Sequence, residues 1–298
     1  MKKLFLCLMA ALAIASTHAQ TGVPGQITTS FVQVRDYGSG SPVTRPCMLW
    51  LPADYPGNGY NPDYPLLVFF HGHGERGNPN GSNVNALKTY GPFHFLDNEE
   101  WDGSASNFTT MCGNPNYIVF AFQSDEDFDN DEIEYALKQL RMRYRTGPVI
   151  FTGASGGAGT VFSYAMELTR TYRPSHIIPM SVPGADFTNV STAAQNGMEV
   201  WAFADDEPNV GSYYTTTTSI VSAFNNTVSN SAKFTGRSLG HCCWNDYYDP
   251  DYRETDIDGS NDNVNIYEWA MKRVSLQPIP VGPSYWCPPA ALYQYGKF

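Results

Sequence analysis

Five short, predominantly apolar runs punctuate the chain: Tyr64–Phe70, Asn116–Phe122, Pro148–Thr152, Ser175–Ser181 and Met198–Phe203. A strand without polar alternation must be covered on both faces, which is the situation inside a parallel sheet flanked by helices. The intervening stretches supply those helices. Over 131–144 the residues Ile133, Ala136, Leu137, Leu140 and Tyr144 fall on one face, with acids at the front and Arg141, Arg143 and Arg145 at the back, as the helix dipole favours. Val161, Tyr164, Ala165 and Leu168 do the same over 157–171, and 213–224 and 264–274 are further helical segments. Before the first run, Ile27–Val34 and Arg45–Leu51 flank the turn Gly38-Ser39-Gly40-Ser41 and read as an antiparallel hairpin. The expected fold class is therefore α/β: a mostly parallel central sheet with helices on both faces and an N-terminal antiparallel hairpin.

The third run leads directly into Gly153-Ala154-Ser155-Gly156-Gly157, and a segment rich in small residues leads out of it. Gly-x-Ser-x-Gly between a buried strand and a helix is the setting of a nucleophile elbow in an α/β-hydrolase fold. The sharp turn presents a hydroxyl at a helix N-terminus, where free N–H groups favour developing negative charge. Ser155 is thus the expected nucleophile. That fold runs Ser, then Asp or Glu, then His along the chain. After Ser155 the histidines are His176, which precedes the candidate acids, and His241, so His241 is the expected general base. Asp205-Asp206-Glu207 follows the Met198–Phe203 strand at its carboxyl end. Asp206 is the favoured acid, with Asp205 next and Asp186 as an outlier.

The loop His71-Gly72-His73-Gly74-Glu75-Arg76-Gly77 follows the Tyr64–Phe70 strand. In this architecture that loop supplies one oxyanion donor, so the backbone N–H groups of His73 and Gly156 form the expected oxyanion hole. Glu75 and Arg76 are expected to brace the loop by an ion pair. His71 and His73 lack a nearby third ligand, so no metal is expected. The 256–262 segment lacks the closing Glu of a calcium loop and reads as a polar loop. No cofactor is expected.

Lys2 and Lys3, the apolar run Leu4–Ala15 and the small residues at 16–19 form a secretory leader with cleavage after Ala19. The expected organisation is a leader at 1–19, one domain at 20–276 and an extended tail at 277–298, in a secreted monomer without a membrane span. Losing the two leader lysines takes the net charge from −11 to −13. So acidic a surface repels polyanions, which excludes nucleic acid as a partner. Cys47, Cys112, Cys242, Cys243 and Cys287 remain, an odd number, and in an exported chain some are expected to pair.

The strings YPLLVFFHGHGERG, YGPFHFL, NYIVFAFQ, VIFTGASGGAG, VWAFADD and GHCCWNDYYDP…NIYEWAM, in this order over roughly residues 27–274, resemble secreted bacterial esterases of the predicted-peptidase or polyhydroxybutyrate-depolymerase-like group, whose relatives include feruloyl and acetyl-xylan esterases. The resemblance implies a serine esterase acting on carboxylic esters attached to plant polysaccharide, with Ser155 and His241 in the family's catalytic positions. The acid does not carry over, because Ala204-Asp205-Asp206 shortens the family's turn. Trp244 matches the aromatic after the family's histidine, where it packs the histidine loop or lines the acyl site. The same machinery would also serve a serine peptidase or a polyester depolymerase, and a hydrolase scaffold without catalysis would serve as a glycan-binding protein.

Overall fold

The computed structural model describes residues 22–35, 41–55, 63–105, 116–205, 212–237, 240–241, 243–257 and 263–276. The segments expected to form the leader (1–19) and the tail (277–298), residues 38–40 of the expected hairpin turn, and Asp206 lie outside the described residues. Among the described residues, no helix is long and apolar enough to cross a membrane.

Eight strands form one sheet: β1 (Gln26–Arg35), β2 (Pro42–Leu51), β3 (Tyr64–Phe70), β4 (Ile118–Phe122), β5 (Thr146–Ala154), β6 (His176–Met180), β7 (Glu199–Ala204) and β8 (Ala232–Gly236), in the order β1-β2-β4-β3-β5-β6-β7-β8. β1 and β2 are the expected hairpin, with Gln26 opposite Leu51 and Arg35 opposite Pro42. β2 also runs antiparallel to β4, and every pairing from β4 across to β8 is parallel. β9 (Glu254–Thr255) and β10 (Asn263–Val264) make a separate two-stranded ribbon.

All five apolar runs are strands, and each sends alternate side chains into two cores. Leu66, Val68 and Phe70 of β3, Val149 and Phe151 of β5 and Val200 and Ala202 of β7 share one core. Leu67, Phe69, Ile150, Trp201 and Phe203 belong to the other. The first core is closed by residues of the helices α2 (Asn130–Arg143), α3 (Gly156–Met166), α4 (Val190–Gln195) and α5 (Ser212–Thr227). The second is closed by α1 (Pro92–Asp97), α6 (Asn245–Tyr248) and α7 (Ile266–Leu276). Asp129 caps α2 by accepting the N–H groups of Asp131 and Glu132.

Two boundaries differ from expectation. α3 ends at Met166 instead of running to 171: Glu167 leaves helical geometry at ψ 87°, its carboxylate is drawn to Asn130 and Arg170, and Arg170 in turn pairs with Asp131. The sequence also suggests a helix near Asn85–Tyr90, and the structure has a 3₁₀ turn at Val84–Lys88 instead. Asp256, at the head of the candidate calcium segment, is enclosed and accepts from both terminal nitrogens of Arg273 at 2.6 and 2.9 Å and from Lys272 at 2.7 Å. Its oxygens are committed to an ion-pair network on α7; residues 258–262 lie outside the described residues.

The β5–α3 turn depends on close backbone approach. A Cβ at Gly157 would lie 2.0 Å from the Phe70 carbonyl oxygen, and one at Gly153 would lie 2.8 Å from the Gly157 carbonyl. Neither neighbour is a flexible side chain, so relief requires moving β3 or α3. Gly157→Ala is expected to lower the unfolding free energy by about 3 kcal/mol or more. Gly184→Ala, with nothing within 4 Å of the added methyl, is the neutral control. Urea denaturation midpoints at unchanged m-value read both.

Candidate active site

Ser155 sits between Ala154, the last residue of β5, and Gly156, the first of α3. Its backbone adopts φ 53°, ψ −119°, a region that costs a non-glycine residue about 1–3 kcal/mol and persists only where the surroundings hold it. Here they do. The Ser155 N–H donates to the Met180 carbonyl at 2.9 Å, and its own carbonyl accepts from Gly159 N–H at 3.1 Å. The residue is 9 % exposed and its Oγ lies 3.0 Å from His241 Nε2. The only candidate base that chain order permits is thus within hydrogen-bond reach of the serine at the bend.

The imidazole of His241 is framed by two aromatic rings. Tyr213, in the first turn of α5, stacks on it at 4.0 Å between centroids and 22° between planes. Trp244 meets it edge-to-face at 5.1 Å and 87°. Trp244 is itself buried, packs edge-on against Tyr90, and places its Nε1 3.5 Å from Ser181 Oγ. Trp244 therefore supports the histidine loop. Cys243, between these two residues, is disulfide-bonded, whereas Cys47 is free and buried. Burial lowers the pKa of His241 below the ordinary histidine value, and the Asp205 carboxylate opposes that shift. Nδ1 of the ring is buried with no hydrogen-bond partner among the described residues.

Asp205 directly follows β7, is 5 % exposed, and brings its Oδ2 to 3.9 Å from where a Cβ of Gly240 would stand. Its charge acts on the imidazole. Strand alternation explains the position: residue 205 continues the set Trp201 and Phe203, which faces the core shared with Trp244 and Tyr247. Asp206, the favoured acid from sequence, lies outside the described residues. Asp186 is fully exposed and spends its carboxylate on the N–H and hydroxyl of Thr188, which keep its pKa low.

The loop after β3 lies against the serine. A Cβ on Gly72 would be 3.6 Å from Ser155 Cβ, and one on Gly156 would be 2.7 Å from the His73 ring. His73 opens the 3₁₀ turn His73–Glu75, and Gly156 opens α3. First residues of helical turns have no partner within the turn for their N–H groups. Glu75 does not pair with Arg76. It is buried, with its pKa raised by that burial, and lies against the Gly72 backbone. Arg76 instead pairs with Asp127, which also takes a 3.0 Å hydrogen bond from His73 Nε2.

His71 and His73 point to different partners. Both nitrogens of His71 are engaged within the loop region, at Gly72 and Ser124. Among the described residues no group of three or more His, Cys, Asp or Glu side chains is disposed to hold a metal ion. His176 is wholly buried, its ring against Trp269, with a pKa pushed down to about 3 by burial. Tyr213 was not foreseen: nothing local marks a tyrosine that reaches a ring 28 positions later in the chain.

No protein-family model matches the chain, and no curated protein matches it. Among solved structures, a ferulic acid esterase superposes with a TM-score of 0.50 at 14% identity, over 76% of this chain and 95% of that one. A fluorophosphonate-binding serine hydrolase of Staphylococcus aureus, in a substrate-bound structure, gives 0.50 at 11% identity over 85% and 99%. A thermostable esterase is 22% identical with a TM-score of 0.46, and this chain spans about half of its length, 54%. At such identities the likeness is one of architecture, and together with the parallel sheet and the strand–serine–helix turn it establishes that the chain has the α/β-hydrolase fold.

Proposed function

We propose that this chain is a serine esterase that hydrolyses carboxylic esters through an acyl-enzyme. One observation carries the reading: the 3.0 Å approach of Ser155 Oγ to His241 Nε2 at a strained strand-to-helix bend. His241 takes the Ser155 proton as the oxygen attacks the ester carbonyl. The N–H groups of His73 and Gly156 receive the developing oxyanion, each contributing on the order of 3 kcal/mol in the transition state. His241 then protonates the departing alcohol, and a water activated by the same base releases the acid. Asp205 acts on the imidazole through its charge, which favours the protonated form. We favour Asp205 for this role because its charge reaches the ring, while Asp206 lies outside the described residues.

The substrate class we propose is an aromatic or acetyl ester on plant polysaccharide. Aromatic rings of Tyr213, Trp244 and Tyr90 cluster about His241, and one protein of similar architecture is a ferulic acid esterase; both support an aromatic acyl group. Secretion is supported by the leader at 1–19 and by the disulfide at Cys243. A panel of feruloyl, acetyl and p-nitrophenyl esters, hydroxybutyrate oligomers and a peptide amide tests the reading. Feruloyl or acetyl esters are expected to turn over fastest. Cleavage of the amide or the oligomers alone would replace the esterase with a peptidase or a polyester depolymerase.

A further inference from the structure

His71 donates from Nδ1 to the carbonyl of Gly72 at 2.8 Å and accepts the Ser124 N–H at Nε2, 3.0 Å away. The two bonds require one neutral tautomer, with the proton on Nδ1. The ring is 2 % exposed and packs on Phe128 at 4.7 Å. Burial keeps it neutral, with a pKa lowered to about 4. Ser124 is itself anchored: its carbonyl accepts the Gly77 N–H at 2.9 Å, and the preceding Gln123 N–H donates to Pro46 at 2.7 Å.

The Gly72 carbonyl belongs to the same peptide unit as the His73 N–H. In a trans peptide these two groups point in opposite directions within one rigid plane. Whatever pins the Gly72 oxygen therefore aims the His73 N–H. Glu75 N–H also reaches that oxygen, but at 3.3 Å, and it lies on the same short turn. His71 ties the peptide to the sheet-anchored segment after β4 instead.

We infer that His71 is a positioning residue of the oxyanion hole: held in its Nδ1–H tautomer by Ser124, it clamps the Gly72 carbonyl and so directs the His73 N–H at the oxyanion. This rests on the esterase reading of Ser155. The role needs the donor at Nδ1, and the Ser124 contact selects that tautomer.

Three variants separate the parts. His71→Phe removes both bonds, His71→Gln keeps an acceptor within reach of Ser124 but no donor at Gly72, and His71→Asn keeps a donor at Gly72. His71→Phe and His71→Gln are expected to lower kcat for an ester by roughly 30-fold, less than outright loss of a donor, with KM changed less than about threefold. Affinity for an alkyl boronic acid, which forms a tetrahedral adduct on the serine, is expected to fall in parallel with kcat/KM. His71→Asn is expected to recover at least about tenfold of the loss. Nitrogen NMR of the unmodified protein is expected to show a protonated Nδ1 and a bare Nε2, a readout that stands even if His71→Phe does not fold. A folded His71→Gln as active as His71→Asn, or a proton found on Nε2, would overturn the inference. A wild-type chain that neither hydrolyses esters nor reacts at Ser155 would sink the esterase reading instead.

Discussion

Ser155→Ala is expected to lower kcat/KM for ester hydrolysis by at least about three decades, with His241→Ala losing a similar amount and the double variant little more. The non-additivity follows from the 3.0 Å contact. Without the imidazole the hydroxyl stays protonated and is a poor nucleophile. Without the hydroxyl the imidazole has no proton to take. Residual turnover then comes from the oxyanion donors and from binding, which neither substitution touches. Steady-state kinetics on the three variants, with folding checked by near-ultraviolet circular dichroism, measures the cycle. Losses that multiply would show that the two side chains act separately.

Asp205→Asn is expected to reduce kcat by about two to four decades while moving the acid limb of the pH–rate profile to lower pH. Burial already places the His241 pKa below the usual 6.5, so activity rises with pH below that value as the ring loses its proton. The Asp205 carboxylate acts against that displacement. Removing its charge removes the opposing effect, so the ring deprotonates at still lower pH. The rate falls because a neutral amide does not stabilise the imidazolium. A kcat/KM profile from pH 4 to 9 reads both effects. An unmoved limb with Asp205→Asn, and a shifted one with Asp206→Asn, would transfer the role to the neighbouring residue.

The central strands were legible because they are buried on both faces, which leaves them predominantly apolar with no polar alternation. β8 was not, because it closes the sheet: only Ala232 and Thr235 are buried, and Lys233 lies over the Trp201 ring with its amine 4.6 Å from the centroid. The elbow was legible because its glycines answer to backbone contacts a few residues away or on the adjacent strand. The end of α3 was not, because Glu167 and Arg170 are drawn off by Asn130 and Asp131 on another helix. His241 emerged by chain order alone. The strand's two-residue period places residue 205 on the face marked by Trp201 and Phe203, which is the observation that favours it over Asp206 as the proposed acid. Tyr213 and the bonding of His71 depend on contacts between distant segments, and neither leaves a local pattern in the chain.

The most direct test is reaction of the folded protein with a fluorophosphonate, followed by mass-spectrometric mapping of the adduct. A single phosphonyl group is expected on Ser155, added at a rate that rises with pH along the His241 titration and is lost in His241→Ala. An adduct at another residue, or an unlabelled Ser155 in a protein shown to be folded, would contradict it.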